Sequence, residues 1–276
     1  MQFINVGKEN SKDILLHYED HGTGKPVVLI HGWPLNGASW EKQESVLLDA
    51  GFRVITYDRR GFGLSSKPST GYDYDTFVAD LDKLMNTLDL HHAILVGFSM
   101  GTGEVTRYIS KYGSKRVDKA VLISSIPPYL LKTSDNPKGV DQLVFDGIKN
   151  GIKEDRLVFL TLFFSDFYNL DQNEDKLISK QAVQYSWNVA SRASAIGTFE
   201  CVKSWVTDFR EDIKNMDVPT LIIHGDADRI LPIDASGRRL TEVIKDNKYV
   251  EIKDGPHCII QTHTDQVNKA LMDFIS

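Results

Sequence analysis

The sequence predicts an α/β fold with a mostly parallel, doubly wound sheet, and three observations carry that expectation. Short runs rich in Val, Ile and Leu are bounded by Gly, Pro or Asp, which is how strands buried on both faces read. Helical segments lie between these runs, so strand and helix alternate along the chain. The alternation stops near Ile126-Pro127-Pro128 and resumes at Val218-Pro219-Thr220, which marks an insertion of different character.

Taken in order, a weak strand candidate at 13–19 precedes the first strong one at 27–30, Val27-Val28-Leu29-Ile30. A helix is expected over 40–50 and a strand over 53–57. Segment 75–89 sets Phe77, Leu81, Leu84 and Leu88 at helical spacing, with Asp75 as its expected start. A strand at 93–96, a helix at 100–112 and a strand at 119–123 follow, and beyond the insertion come strands at 220–223 and, more weakly, 248–252. The expected division is a core of residues 1–126 and 218–276 with a helical cap of residues 127–217. Of the 91 residues in that cap, 12 are Phe, Trp or Tyr, most of them expected to pack its helices together. An insert between two strands of such a sheet lies over the carboxyl edge, where ligands bind.

Composition excludes several classes. With 276 residues, 41% hydrophobic and 25% charged, the chain can bury a substantial core. Its net charge is −6 and its basic residues form no run longer than pairs such as Arg59-Arg60, which argues against nucleic acid as a partner. The longest apolar runs are only strand-length, so no membrane-spanning helix is expected. Residues Met1 to Lys8 lack the basic patch and apolar core of a secretory signal, so a cytoplasmic location is expected. Cys201 and Cys258 lie in no C-x-x-C pair, no H-E-x-x-H is present, and the spaced pair His17 and His21 runs into the turn Gly22-Thr23-Gly24. Neither metal nor cofactor is expected.

Gly97-Phe98-Ser99-Met100-Gly101 is a G-x-S-x-G pentapeptide. Alone it is weak, but it follows the run Ala93-Ile94-Leu95-Val96 and precedes a helical segment, the strand, sharp turn and helix of a nucleophile elbow. A serine hydroxyl needs a base to take its proton and an acid to orient that base. Downstream, in the order this arrangement requires, Asp228 follows the strand at 220–223, and His257 sits in the loop Asp254-Gly255-Pro256-His257. Asp226 competes with Asp228, and His263 with His257, though His263 falls near the start of the last helix. His224 and His31, at strand ends, are expected to brace backbone. An oxyanion hole needs the N–H after the nucleophile, from Met100, and one from the loop His31-Gly32-Trp33-Pro34. Pro34 has no N–H, so Trp33 is the candidate.

Together HGWPLNGASW, ITYDRRGFGLSSKPSTGYDYDTF, LVGFSMGTGEVTRYI and PTLIIHGDADRILP resemble the cofactor-free bacterial haloperoxidases, also called non-heme chloroperoxidases, bromoperoxidases or perhydrolases, of the α/β-hydrolase superfamily. The resemblance runs over nearly the whole chain. Within the cap, Phe167-Tyr168-Asn169-Leu170-Asp171 and Ser186-Trp187-Asn188-Val189-Ala190 are similar to the γ-lactamase members of that family. The resemblance implies an α/β-hydrolase fold with a helical cap. By motif, the nucleophile falls on Ser99, the acid on Asp228, the base on His257 and the oxyanion donors on Trp33 and Met100. Pro34, Trp187 and Cys258 are taken as substrate contacts, and Cys258 departs from the Gly that commonly follows the histidine. The implied activity is hydrolysis of small esters through an acyl-enzyme, and perhydrolysis in which hydrogen peroxide and a carboxylate give a peracid that oxidises halide away from the protein. The expected partners are a small ester, lactam or carboxylate and hydrogen peroxide, and a homo-oligomer is compatible with the reading.

Three rivals remain on the residues alone. A γ-lactam amidohydrolase and a hydroxynitrile lyase would keep the same triad, and a ligand receptor on this fold could retain it without turnover. Haloalkane dehalogenases and epoxide hydrolases use Asp where this chain has Ser99. Gly61-Phe62-Gly63-Leu64-Ser65-Ser66 lacks the last Gly of a dinucleotide fingerprint. Asp58-Arg59-Arg60 is expected to fix its turn in preference to clamping an anion.

Overall fold

The computed structural model describes residues 1–276 and joins eight strands into one sheet of order β1-β2-β4-β3-β5-β6-β7-β8. In chain order these are β1 (Gln2–Glu9), β2 (Lys12–His21), β3 (Pro26–Ile30), β4 (Arg53–Tyr57), β5 (Ala93–Phe98), β6 (Val117–Ile123), β7 (Thr220–Gly225) and β8 (Asn247–Ile252). From β4 through β8 neighbouring strands are parallel, whereas β2 pairs antiparallel with both β1 and β4. Every residue of β5 and β7 is buried, which is why these strands carry the apolar runs Ala93-Ile94-Leu95-Val96 and Leu221-Ile222-Ile223. β1 has no counterpart among the expected strands. It is an edge strand burying only Ile4, so no apolar pattern betrays it.

The helices are α1 (Glu41–Asp49), α2 (Tyr74–Thr87), α3 (Met100–Tyr112), α4 (Gln142–Tyr168), α5 (Leu170–Asn173), α6 (Lys180–Ser191), α7 (Ala195–Ser204), α8 (Arg210–Ile213), α9 (Gly237–Val243), α10 (Ile259–Thr262) and α11 (Thr264–Ile275). α1 packs against α11, and α2 against α3. α2 buries Phe77, Leu81 and Leu84 as its spacing predicts. Its cap, however, is Asp73 and not Asp75: the Asp73 carboxylate accepts the Thr76 N–H at 2.9 Å, satisfying a donor the helix cannot.

Between β6 and β7 the chain forms α4 to α8 and contributes no strand to the sheet. α4 changes direction at Asp155 (φ −154°, ψ 99°), whose carboxylate accepts the N–H groups of Leu157 and Val158 and so starts the second half. That half carries Phe163, Phe164, Phe167 and Tyr168, which pack edge-to-face or stacked on one another. No helix is long and apolar enough to cross a membrane.

The buried face of α2 makes a direct stability test. Leu81 is fully buried and Leu64 is 54% exposed. Leu81→Ala should cost about 2–5 kcal/mol, and Leu64→Ala within about 0.5 kcal/mol of nothing. Urea unfolding midpoints of the two variants measure the difference.

Candidate active site

β5 ends at Phe98, α3 begins at Met100, and Ser99 between them has φ 53° and ψ −117°. A non-glycine residue in that region stores strain and stays there only when its surroundings over-determine it. A Cβ on Gly97 would come within 2.6 Å of the Gly101 backbone, and one on Gly101 within 2.3 Å of the Ile30 carbonyl oxygen. The two glycines therefore let strand, turn and helix close on each other. The turn is held by the Ser99 N–H donating to the Ile123 carbonyl at 2.8 Å, and by the Ser99 carbonyl accepting from the Thr102 hydroxyl at 2.6 Å.

The structure brings Ser99, His257 and Asp228 into one hydrogen-bonded line. The Ser99 hydroxyl lies 2.8 Å from His257 Nε2, and His257 Nδ1 lies 2.7 Å from Asp228 Oδ2. The other Asp228 oxygen accepts the N–H groups of Ile230 and Leu231 at 2.9 and 2.8 Å. Burial alone would raise the Asp228 carboxyl, but the His257 and His224 imidazoles beside it hold it well below the usual carboxylate range. With Asp228 ionised, the proton on Nδ1 is the one it accepts, which leaves Nε2 free to receive the serine proton. Asp226 takes no part: it is exposed and accepts the Asp254 N–H at 2.6 Å. His263 bonds its neighbour Thr262.

Three surroundings fix the imidazole. The His257 carbonyl accepts from the Ser124 hydroxyl at 2.8 Å, and its ring packs against both Phe98 and Phe167, with centroids 5.3 and 5.1 Å away. The next N–H, of Cys258, donates to the Phe167 carbonyl at the end of α4 at 3.0 Å. Asn169 ties the acid loop to the same insertion by donating to the Ala227 carbonyl at 2.9 Å.

The loop after β3 faces the serine. The Trp33 N–H and C=O make no hydrogen bond within the protein, and the Met100 N–H, at the first position of α3, has no intrahelical partner. The Trp33 to Pro34 peptide is cis, and Pro34 is buried. The Trp33 indole N–H donates to the Thr198 carbonyl on α7 at 3.2 Å, and its ring meets Phe163 and Trp205 edge-to-face at 4.9 Å each. Asp58 accepts the N–H groups of Gly37 and Leu64, and Arg60 forms a two-pronged pair with Asp80, so these residues fix turns.

Two of the expected substrate contacts, Trp187 and Cys258, make no side-chain hydrogen bond to Ser99, His257 or Asp228. Trp187 donates to the Thr161 hydroxyl at 3.1 Å and lines an outer groove with Phe164 and Val183, because it lies on the face of α6 turned to α4. Cys258 is completely buried with its thiol beside the Tyr168 hydroxyl, and burial pushes that thiol far above its ordinary value. The one group of His and carboxylate ligand atoms within 4.8 Å of each other is Glu19, His21 and Glu44, on β2 and α1 and outside the relay. His17, spaced four residues from His21, is instead buried 3.4 Å from Asp58.

The sequence profile of the alpha/beta hydrolase fold family matches residues 25–264. A Synechocystis protein named as a candidate non-heme chloroperoxidase is 61% identical over the full length of both chains. The solved bromoperoxidase from Bacillus anthracis is 47% identical, covers 99% of each chain and superimposes with a TM-score of 0.96. The chain belongs to the non-heme haloperoxidases of the α/β-hydrolase family. The bifunctional esterase/perhydrolase DCH of Acinetobacter calcoaceticus is a further relative, 34% identical over 98% of this chain and 99% of its own.

Sequence reasoning assigns His224 to backbone, and half of its role escapes that reading. Its Nδ1 accepts the Ser125 N–H at 3.3 Å, so the proton sits on Nε2, which lies 3.0 Å from the Leu231 carbonyl and 3.1 Å from Asp228.

The depressed Asp228 carboxyl has a consequence for acid stability. On acidification the unfolded chain takes up this proton first, near its ordinary value of about 3.9. The stabilisation is complete above that pH and is lost as the pH falls toward the folded value. Asp228→Asn should therefore flatten the slope of unfolding free energy against pH below about pH 4, read from urea melts across the acid range.

Proposed function

We propose that the protein is a serine hydrolase of small esters that forms an acyl-enzyme on Ser99 and passes the acyl group to water or to hydrogen peroxide. The observation that carries this reading is the unbroken line from Ser99 through His257 to Asp228, beside two N–H groups with no protein partner. The esterase/perhydrolase among the relatives supports both halves of it.

In the forward step His257 takes the Ser99 proton as the oxygen attacks the ester carbonyl. The Trp33 and Met100 N–H groups receive the negative charge of the tetrahedral intermediate, where donors placed in advance contribute most. His257 then gives the proton to the departing alcohol. In the second step it takes a proton from water, releasing a carboxylic acid, or from hydrogen peroxide, releasing a peracid. A peracid oxidises halide in solution, yielding carboxylate and hypohalous acid, so no halide site is required. Residues 127–217 serve as the cap.

Ser99→Ala should lower p-nitrophenyl acetate turnover by roughly 10³-fold or more with the circular dichroism spectrum unchanged. A fluorophosphonate should label Ser99 alone in peptide mass spectra. Asp228→Asn should lose turnover by orders of magnitude and Asp226→Asn should stay within a few-fold of the parent. A labelled residue other than Ser99, or the reverse order of the two aspartates, would refute the assignment.

Pro34 bears on which nucleophile is used. The Trp33 carbonyl that precedes it accepts no hydrogen bond within the protein, and we infer that it accepts one from the far oxygen of hydrogen peroxide. Water has no such oxygen, so the stabilisation is differential. One bond of about 1 kcal/mol shifts the ratio roughly fivefold. Pro34→Leu should therefore reduce peracid formation about fivefold relative to hydrolysis of p-nitrophenyl acetate in the same preparation. Equal falls in the two rates would make Pro34 scaffolding only.

A further inference from the structure

Glu104 lies five residues beyond Ser99 on α3 and is fully buried, as is Arg59 apart from 1% of its surface. The Glu104 carboxylate accepts from the Tyr57 hydroxyl and from Arg59 Nε, each at 2.5 Å, and pairs with Arg59 Nη2 as well. The same guanidinium donates through Nη2 to the His31 carbonyl at 2.7 Å, and the Arg59 backbone N–H donates to His31 Nε2 at 2.9 Å. His31 is buried and neutral, because burial and then the Arg59 charge depress its pKa well below the ordinary value. Its Nε2 is an acceptor, so its proton is on Nδ1, which donates to the Gly32 carbonyl at 2.9 Å. That carbonyl also accepts the Leu35 N–H at 3.0 Å.

The Gly32 to Trp33 peptide is planar and trans, so its N–H points opposite to its carbonyl. Two donors on the Gly32 oxygen therefore set the direction of the Trp33 N–H. A buried ion pair is a poor device for stability alone, since apolar residues of similar volume commonly do as well or better. This pair even leaves Arg59 Nη1 without a hydrogen-bond partner. Arginine suits the position because one planar fork reaches a carboxylate and a carbonyl together, which a lysine ammonium cannot reproduce.

We propose that Glu104 and Arg59 are positioning residues of the oxyanion hole: they link the helix that starts at the nucleophile to the peptide that supplies the second donor, through His31. The inference rests on the reading of Trp33 as that donor. It predicts a defect in transition-state stabilisation at sites that remain folded and reactive, which a merely structural role would not produce.

The test compares the parent with Arg59→Lys and with the triple variant Tyr57→Phe, Arg59→Met, Glu104→Leu, in which no buried charge is left unpaired. Active sites are counted by fluorophosphonate titration, and kcat for p-nitrophenyl acetate is expressed per titrated site. Affinity for a trifluoromethyl ketone, whose serine adduct carries an oxyanion, is measured alongside. Both variants should show kcat per site lowered about 10- to 100-fold, KM changed less than about threefold, and ketone affinity weakened by the same factor as kcat. Values of kcat per site and ketone affinity within about twofold of the parent would overturn the proposal. Should neither variant fold, Tyr57→Phe alone removes one bond to Glu104, and a loss of about three- to tenfold in both readouts supports the proposal while no change overturns it. A parent that turns over no ester and binds no ketone would overturn the functional reading itself, a result distinct from a parent that does both beside unaffected variants.

Discussion

The turn at Ser99 is the constraint on which the remaining structure depends. Its positive φ is unfavourable for a serine and persists only because β5, α3 and the ends of β3 and β6 crowd it from every side. The glycines at 97 and 101 follow from that crowding, and so does the burial of every residue in β5. One geometry then yields two results: the hydroxyl stands at the carboxyl edge of the sheet, and the start of α3 presents an unpaired N–H with the positive end of the helix dipole.

The other parts of the site are assembled against this fixed point by bonds that cross between core and insertion. The Cys258 N–H meets the carbonyl of Phe167, Asn169 meets that of Ala227, and the Trp33 indole meets that of Thr198. Each joins a different core loop, carrying His257, Asp228 or Trp33, to residues between β6 and β7. A shift of the insertion therefore cannot leave the loops untouched. The aromatic residues concentrated there bear on these loops directly, since Phe163 and Trp205 meet the Trp33 ring edge-to-face and Phe167 meets His257.

How much of this is legible in the sequence depends on how local the signal is. Strands β3 to β7 announce themselves because burial on both faces demands continuous apolar runs, and the elbow because its glycines must fall at fixed spacing around Ser99. Position in the Gly255-Pro256 loop, and not at the start of the last helix, separates His257 from His263, but only three-dimensional geometry separates Asp228 from Asp226, which share the same strand end. β1 escapes because an edge strand with one buried side chain has no pattern to show. The bond from Trp187 to Thr161 is hidden for a similar reason: an aromatic in an insertion can face either side of its helix, and composition does not say which. The network of Tyr57, Arg59 and Glu104 is invisible because its members are brought together from β4, the following turn and α3, and nothing in their spacing marks them as partners.

On the proposed reading, the choice between water and hydrogen peroxide cannot reside in Ser99, His257 and Asp228, because the imidazole takes a proton from either nucleophile in the same way. Selection requires a group that meets the part of peroxide that water lacks, and that group must not be satisfied already. The Trp33 carbonyl meets the second condition, and it belongs to the same residue as the N–H that faces the oxyanion. Oxyanion stabilisation and nucleophile choice are thus two ends of one residue, separated by its φ and ψ. The loop is held at His31 and Gly32 by the buried charges and at the indole by α7. Loosening either support would rotate both groups at once, so a change in peroxide preference through this loop should rarely come without a change in the rate of acyl transfer.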